Sequence, residues 1–542
     1  MNVRAGFFPL ALVLLFPIAC DSGRSSGDSA VREAVAGRDG EVLIEDPIAE
    51  AKRLLAESGF PNGKRFPEIA ILYNTSEAHK KIAAAIQFMW KKNLGIKVEL
   101  RNTEWKTYLD QLSKLDYQVA RRGWIGDYND PNTFLEMFTE HSGNNNTGWV
   151  SKEFDELLDK ANAERDPDKR RKLLERTEEI LMDEIPVIPI YFYVTQEMYR
   201  DYVKGWYQNG QAIHPLKHVY RDDGKTLVIN NHTEIQTLDP GIARGVPEHR
   251  VQIGLYEGLL SYDPGTARTV PGVAEKWEIS EDEKTYTFHL REARWSDGKA
   301  VTAHDFEYAW KRALDPATAS DYAHQLYYIK GARGYNSGES KDADAVAVTA
   351  KDDMTLIVEL EHPTPFFLDL MAFFTYYPVR KDVLEKYGSQ WTLPEHHVGN
   401  GPFKLKEWVT NDYLLLERNP NYWDADRVKQ QRIKFLPTQN VTTAFNLYDK
   451  EECDIITAVP LEFIEKLIKR PDFHSTTYLG TYFYSFNVTK KPLDDRRVRK
   501  ALALAINRRL IVERITKGGQ KPAYHYVPPV FPGFRHRRFD EK

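Results

Sequence analysis

The residues of this chain best suited to chemistry cluster in the run Arg121-Arg122-Gly123-Trp124-Ile125-Gly126-Asp127-Tyr128-Asn129-Asp130-Pro131. A carboxylate, two guanidinium groups and a flat indole lie close together there. No nucleophile paired with a base and no trio of metal ligands accompanies them. The chemistry they suit is therefore recognition rather than bond-making. Asp127 offers fixed negative charge to a cationic group, and Trp124 an apolar face. Gly123 and Gly126 let backbone, with Ile125 between them, pass close to something else. A second reading is a Gly/Asn/Asp turn in which Asp127 accepts local backbone N–H bonds. Spacing alone leaves both open.

Alternation in Tyr117-Gln118-Val119-Ala120 predicts a strand that ends where this run begins, so the run reads as a loop on a rigid sheet. Upstream, Ile48, Ala51, Leu54 and Leu55 follow helical spacing, and Gly59 is a natural stop. A strand is expected over 66–73. A helix over 78–94 puts Ile82, Ile86, Met89, Trp90 and Leu94 on one face before Gly95. A strand over 96–100 and a short helix over 105–112 follow. This strand–helix rhythm predicts an α/β lobe whose ligand loops lie at the carboxyl ends of its strands. Asp166-Pro167 opens a long amphipathic helix with Leu173, Leu174, Ile180 and Leu181 inward. The run from Ile185 to Val194 reads as an extended crossing segment, with Pro186 and Pro189 arguing against a central strand at its start.

Composition narrows the class. The chain has 542 residues, 42% apolar and 28% charged, the balance of an ordinary soluble protein with room for several domains. A net charge of −5 argues against a nucleic-acid binder. The surplus of aromatics, 29 Tyr and 11 Trp, suits a cleft with amphipathic walls, though core packing would use them equally well. Two cysteines, Cys20 and Cys453, leave no cysteine zinc site. There is no G-x-S-x-G and no H-E-x-x-H. His396-His397 beside Glu395 is the nearest approach to a metal motif, and adjacent histidines chelate one ion poorly from a regular element. No catalytic residue, metal site or cofactor is expected.

The run R-x-G-W-x-x-D-Y-N-D-P, preceded by Asn102-Thr103-Glu104-Trp105-Lys106-Thr107-Tyr108, resembles the oligopeptide-binding lipoproteins of bacterial ABC importers. The resemblance covers nearly all of residues 46–542. It implies that Asp127 binds a peptide's α-ammonium, with Trp124, Gly123 and Ile125 around it. It implies that His79 and Arg121 meet the ligand's carboxylate, and that Trp105 and Tyr193 line side-chain pockets. Glu234, Tyr322 and Tyr478 are implied in the groove. Two positions depart from the peptide-binding homologues: Leu112 stands in place of an arginine and Thr516 in place of a lysine. A cysteine pair that bridges the positions of Ile125 and Gly480 in some relatives is also absent. The implied partners are short peptides and the permease subunits of an ABC importer, with the protein acting as a monomer. Other ligands on the same fold (a dipeptide, a nickel complex, a signalling peptide), a non-transport surface receptor and a secreted hydrolase are the alternatives.

The segment order is unusual. The run from Gly205 to Tyr220 is similar to the family's last segment, and Lys225 to Pro240 to its first mature strand. From there the chain follows family order through Trp295-Ser296-Asp297-Gly298 to Tyr526-Val527-Pro528-Pro529. No segment appears twice. This implies a two-lobed α/β periplasmic-binding-protein fold (type II, cluster C like) with an extra small domain, circularly permuted and rejoined near Tyr220–Gly224. Such rearrangement is physically reasonable where chain ends lie close together at the surface. The expected parts are a signal peptide over 1–20, a tether over 21–42, and a small domain over 266–379. One lobe is expected from 43–194 with 485–542, and the other from 195–265 with 380–484. At the N-terminus, Arg4 and the apolar run from Phe7 to Phe16 read as an export signal. Pro17-Ile18-Ala19-Cys20 resembles a lipobox, although Pro17 departs from the usual leucine-like residue. A lipidated Cys20 would anchor the protein at a periplasmic or cell-surface membrane face.

Overall fold

The computed structural model describes residues 43–541, so the signal, the tether and Cys20 lie outside the described residues. The chain divides into two compact units. In the smaller one, Leu43 pairs with Glu541 in an isolated antiparallel bridge. Residues 45–540 make up the other, which holds everything described below.

One six-stranded sheet runs in the order Val98–Thr103, Ile69–Asn74, Val119–Ile125, Thr477–Phe486, Val187–Val194, Lys521–Pro522. The first three strands are parallel. The strand Thr477–Phe486 runs antiparallel to both of its neighbours. Its aromatic run from Leu479 to Phe486 is wholly buried, as expected of a strand covered on both faces. It had been expected largely in the other lobe, with a boundary at residue 485; pairing along Gly480–Phe486 with Ile125–Val119 places it here instead.

Two further expectations are corrected in this sheet. The strand before Asp127 does not stop at Ala120 but runs on to Ile125, because Arg121–Ile125 find backbone partners in Tyr484–Gly480. The loop therefore begins only at Gly126. The strand Val187–Val194 does hold an interior position despite Pro189, with a register shift against Thr477–Phe486 at Tyr482/Phe483, where Pro189 lies opposite Phe483.

The helices flank this sheet as their patterns predict. Glu77–Leu94 buries Ile82, Ile86, Met89, Trp90 and Leu94 and ends on Gly95 in the left-handed region. Asp166 caps Pro167–Glu184 through the amides of Asp168 and Lys169. Pro47–Glu57 packs against Arg496–Leu504, which knits the start of the described chain to its last part.

A seven-stranded sheet in the order Phe403–Val409, Tyr413–Arg418, Arg432–Leu436, Leu227–Asn230, Ile455–Ile456, Glu197–Tyr199, Phe473–His474 forms the second lobe's counterpart. A four-stranded antiparallel sheet, Ala274–Ile279, Thr285–Leu290, Thr355–Glu359 and Val348–Asp352, lies within 266–379. The turn Arg221-Asp222-Asp223-Gly224 leads into the strand Leu227–Asn230 and is clasped by Asp454, which is fully buried. Asp454 accepts from Arg221 Nη1 at 2.6 Å, from Tyr202 Oη at 2.9 Å and from the Val228 amide at 2.7 Å.

Candidate functional site

Between the two larger sheets lies a cavity of about 550 Å³. That is the size range of a small-molecule or short-peptide site, roughly 300–1,000 Å³. Its walls are the carboxyl ends of strands from both sheets: Asn74-Thr75-Ser76, Gly123 to Asp127, Tyr193 to Glu197, Asn231-His232-Thr233 and Thr457-Ala458-Val459. The topology thus brings together residues from most of the chain's length.

Asp127 sits one residue beyond Gly126, partly open to this cavity. Its carboxylate accepts one hydrogen bond, from Gln325 Nε2 at 2.8 Å, and forms no ion pair among the described residues. Burial first, then the nearby Glu136 carboxylate, push its pKa well above the usual carboxylate range, while the Gln325 bond pulls the other way. Burial likewise raises Glu136, to about 7. The capping reading of Asp127 is not what the fold uses. Asp130 takes that part, accepting from the Asn132 amide at 2.9 Å, while the Asp127 amide donates to Thr133 Oγ1.

Trp124 is buried, donates its indole N–H to the Thr133 carbonyl, and stacks on Tyr322 at 6.4 Å with 15° between planes. Tyr322 in turn packs on Phe373 and Phe374, which also line the cavity. Gly123 is required by a close approach: a Cβ there would fall 2.5 Å from the Tyr193 hydroxyl. Ile125 lies opposite Gly480, the two positions of the absent cysteine pair.

Arg121 shares the Gly123 and Ile125 face of its strand. It donates Nη2 to the Tyr193 hydroxyl at 2.7 Å and Nη1 to Asn74 Oδ1 at 3.3 Å, and lies 4.5 Å over the Tyr482 ring. Its Nε is buried without a partner, and it makes no ion pair among the described residues. His79 contacts the same Tyr482 through its hydroxyl at 3.3 Å. Burial and then the Arg121 charge hold His79 well below the usual imidazole range, so it is neutral there and Arg121 carries the positive charge. Trp105 stacks on Tyr108 at 5.7 Å and lies beside Gly245 of the opposite wall. Tyr478 meets Tyr193 edge to face at 6.0 Å.

Of the residues expected in the groove, Glu234 is the exception. It accepts from Trp408 Nε1 and from the Asn411 amide, each at 2.7 Å, and does not line the cavity. Leu112 is buried in a small apolar cluster with Leu72 and Tyr108. Thr516 does line the cavity, donating its hydroxyl to the Val512 carbonyl.

The sequence reading missed Gln325, Arg250, His249 and the pair Phe373-Phe374. Gln325 follows Tyr322 by one helical turn, a spacing that could have drawn notice. It also missed a convergence of Glu178, His525 and His536, whose candidate ligand atoms lie within 4.8 Å of one another. This trio is arranged as a structural tie rather than a metal centre. Both histidine rings stack at 3.8 Å with 19° between planes, and near-parallel rings cannot aim in-plane lone pairs at one ion. Glu178 already accepts from the amides of Tyr526 and Val527.

Comparison with known proteins places the chain in a family. The profile of bacterial extracellular solute-binding proteins, family 5 middle, matches residues 22–146 and 268–540, more than half of the chain. The periplasmic oligopeptide-binding protein OppA of Salmonella typhimurium is 44% identical over 317 residues, 57% of this chain and 58% of that protein. The chain therefore spans less than two thirds of that relative's length. Among solved structures, the murein tripeptide-binding protein MppA of Escherichia coli is similar at a TM-score of 0.55 and 39% identity, over 57% of this chain and 61% of that one. Haemophilus influenzae OppA in complex with RPPGFSPFR gives 0.55 and 36%, over 57% and 61%.

Proposed function

This chain belongs to the bacterial extracellular solute-binding proteins of family 5, and we propose that it captures short peptides between its two lobes and delivers them to an ABC importer. The observation that carries this reading is Asp127, a carboxylate inside the cavity with one amide partner and no cation among the described residues. A peptide's α-ammonium supplies the missing charge. Arg121, equally without an ion-pair partner, stands in the same cavity for the terminal carboxylate. Trp105, Trp124, Tyr193, Tyr322 and Tyr478 supply amphipathic wall, and peptide backbone would pair with exposed strand ends, which gives affinity blind to sequence. Water in the remaining space would adapt to different side chains. The names of the similar proteins, oligopeptide-binding and murein tripeptide-binding, favour this ligand class.

We also infer that the family's segments run here in permuted order, with the lobe built from 43–194 completed by about 477–541. The sheet that interleaves Thr477–Phe486 between Val119–Ile125 and Val187–Val194 supports this, as does the packing of Pro47–Glu57 on Arg496–Leu504. The proposal extends to export, lipidation at Cys20 and a monomer that binds without cleaving. Incubating the protein with a peptide mixture and following intact masses tests the last point.

Native mass spectrometry of the signal-less protein purified from cells tests the function. The expected result is a ladder of short co-purifying peptides, lost on unfolding and refolding. One discrete non-peptide mass would overturn the peptide reading.

A further inference from the structure

The cavity holds more positive charge than a simple peptide can answer. Arg244 is paired with Asp321 at 2.5 Å, Lys81 with Glu462 at 3.4 Å, and Arg122 donates to the Asn144 carbonyl at 3.1 Å beside Asp321. Arg122 itself has no ion pair, and besides it two guanidinium groups of the lining are without one among the described residues. Arg121 is on one wall and Arg250, from the helix Val246–Leu255, on the other. Of the acids lining the cavity, Glu77 is solvent-exposed and Glu462 pairs with Lys81, while Asp127 has no ion pair among the described residues. Glu197, the acid whose charge Arg250 feels, is already held by Trp206 Nε1, Gln208 Nε2 and His214. A zwitterionic peptide with neutral side chains satisfies Asp127 and one arginine, leaving the other desolvated and unanswered.

Arg250 is built to receive an anion. Its Nη1 donates to Asn231 Oδ1 at 2.9 Å, and Asn231 is itself fixed by donating Nδ2 to the Pro247 carbonyl at 3.1 Å. Its Nε and Nη2 make no hydrogen bond to the described residues. Beside it, the unpartnered His249 Nε2 and Thr233 Oγ1 are buried polar atoms on the same wall. Burial, with Arg250 as the second cause, lowers His232 to about 3 and His249 to about 4, so these imidazoles stay neutral and Arg250 is the wall's full charge.

We propose that Arg250 is a specificity-determining residue, a fork for the carboxylate of an acidic side chain, so that the preferred peptides carry Asp or Glu in addition to their two termini. This rests on the peptide-binding reading. Bidentate geometry and two free donors suit a carboxylate, and an amide isostere would leave a donor facing a donor.

Calorimetry on the signal-less protein with Ala-Ala-Ala, with tripeptides carrying Glu or Gln at each position in turn, and with their C-terminally amidated forms tests it. At one position Glu is expected to bind roughly tenfold to a hundredfold tighter than Gln, the worth of charge-assisted hydrogen bonds. Arg250→Asn is expected to bring that ratio near one. Equal affinity of Glu and Gln peptides at every position overturns the assignment. So does a preference that survives in Arg250→Asn, or one removed from Arg250 dependence by amidation rather than by Gln. If Ala-Ala-Ala binds but the preference is missing, only the Arg250 assignment falls. If no peptide binds, the peptide reading falls with it.

Discussion

Asp127 is held in its cavity at a cost that the proposed ammonium ligand would remove. Removing one partner of a buried charge pair typically costs about 3–5 kcal/mol. Asp127→Asn should therefore weaken peptide binding by a factor on the order of 100 or more, and near-equal affinities in calorimetry would sink the ammonium role. The raised pKa of Asp127 adds a pH signature. The ammonium requires the ionised carboxylate, so affinity should fall as pH drops through that raised value, and binding in this range should release a proton. Asp127→Asn should flatten the profile; an unchanged slope in the variant would assign the effect to another group, with Glu136 first in line. Several residues that line the cavity were legible in the sequence because they sit in one strand and its exit: Arg121, Gly123, Trp124, Ile125 and Asp127. Glu234 could not be read correctly. Its partners Trp408 and Asn411 arrive from a distant hairpin, and nothing in its own neighbourhood announces them. Gln325 carried only its one-turn spacing from Tyr322 as a local hint, since its bond to Asp127 spans 198 residues.

At the scale of elements, the informative pieces are those where pairing overrode local signal. Gly and Arg in Arg121–Ile125 read as loop, yet the aromatic run of Thr477–Phe486 beside them made them strand. Helices with strong apolar spacing, such as Glu77–Leu94, were legible because their signal is local. The turn Arg221–Gly224 depends on one buried acid, Asp454, which holds the Arg221 guanidinium, the Tyr202 hydroxyl and the Val228 amide together. Asp454→Ala would strand these donors. Its expected cost is about 3 kcal/mol, at the low end of the range because Arg221 keeps Asp223 at 2.7 Å. A urea titration followed by tryptophan fluorescence measures it. An unchanged midpoint would show that the turn is held by its backbone pairing alone.

At the scale of the whole molecule, the lobes meet across the cavity mouth through Lys81–Glu462 at 3.4 Å and Lys517–Glu465 at 2.7 Å. These pairs are solvent-exposed, so each contributes little and weakens with salt. They can bias a hinge toward closure without locking it. If the segment order is a permutation, cutting at Gly224 and linking the region near Asp540 to Glu45 should give a protein with the same secondary structure, similar thermal midpoint and the same peptide affinity. A chain that fails to fold in that order would overturn the inference. The interleaved sheet also sets a timetable. On synthesis, the edge of Val119–Ile125 has no partner until Thr477–Phe486 has been made, in the last part of the chain. Until then that edge offers unpaired backbone to any passing strand. The early lobe is thus committed to waiting, and a chain released before its last strand would be sticky rather than merely incomplete.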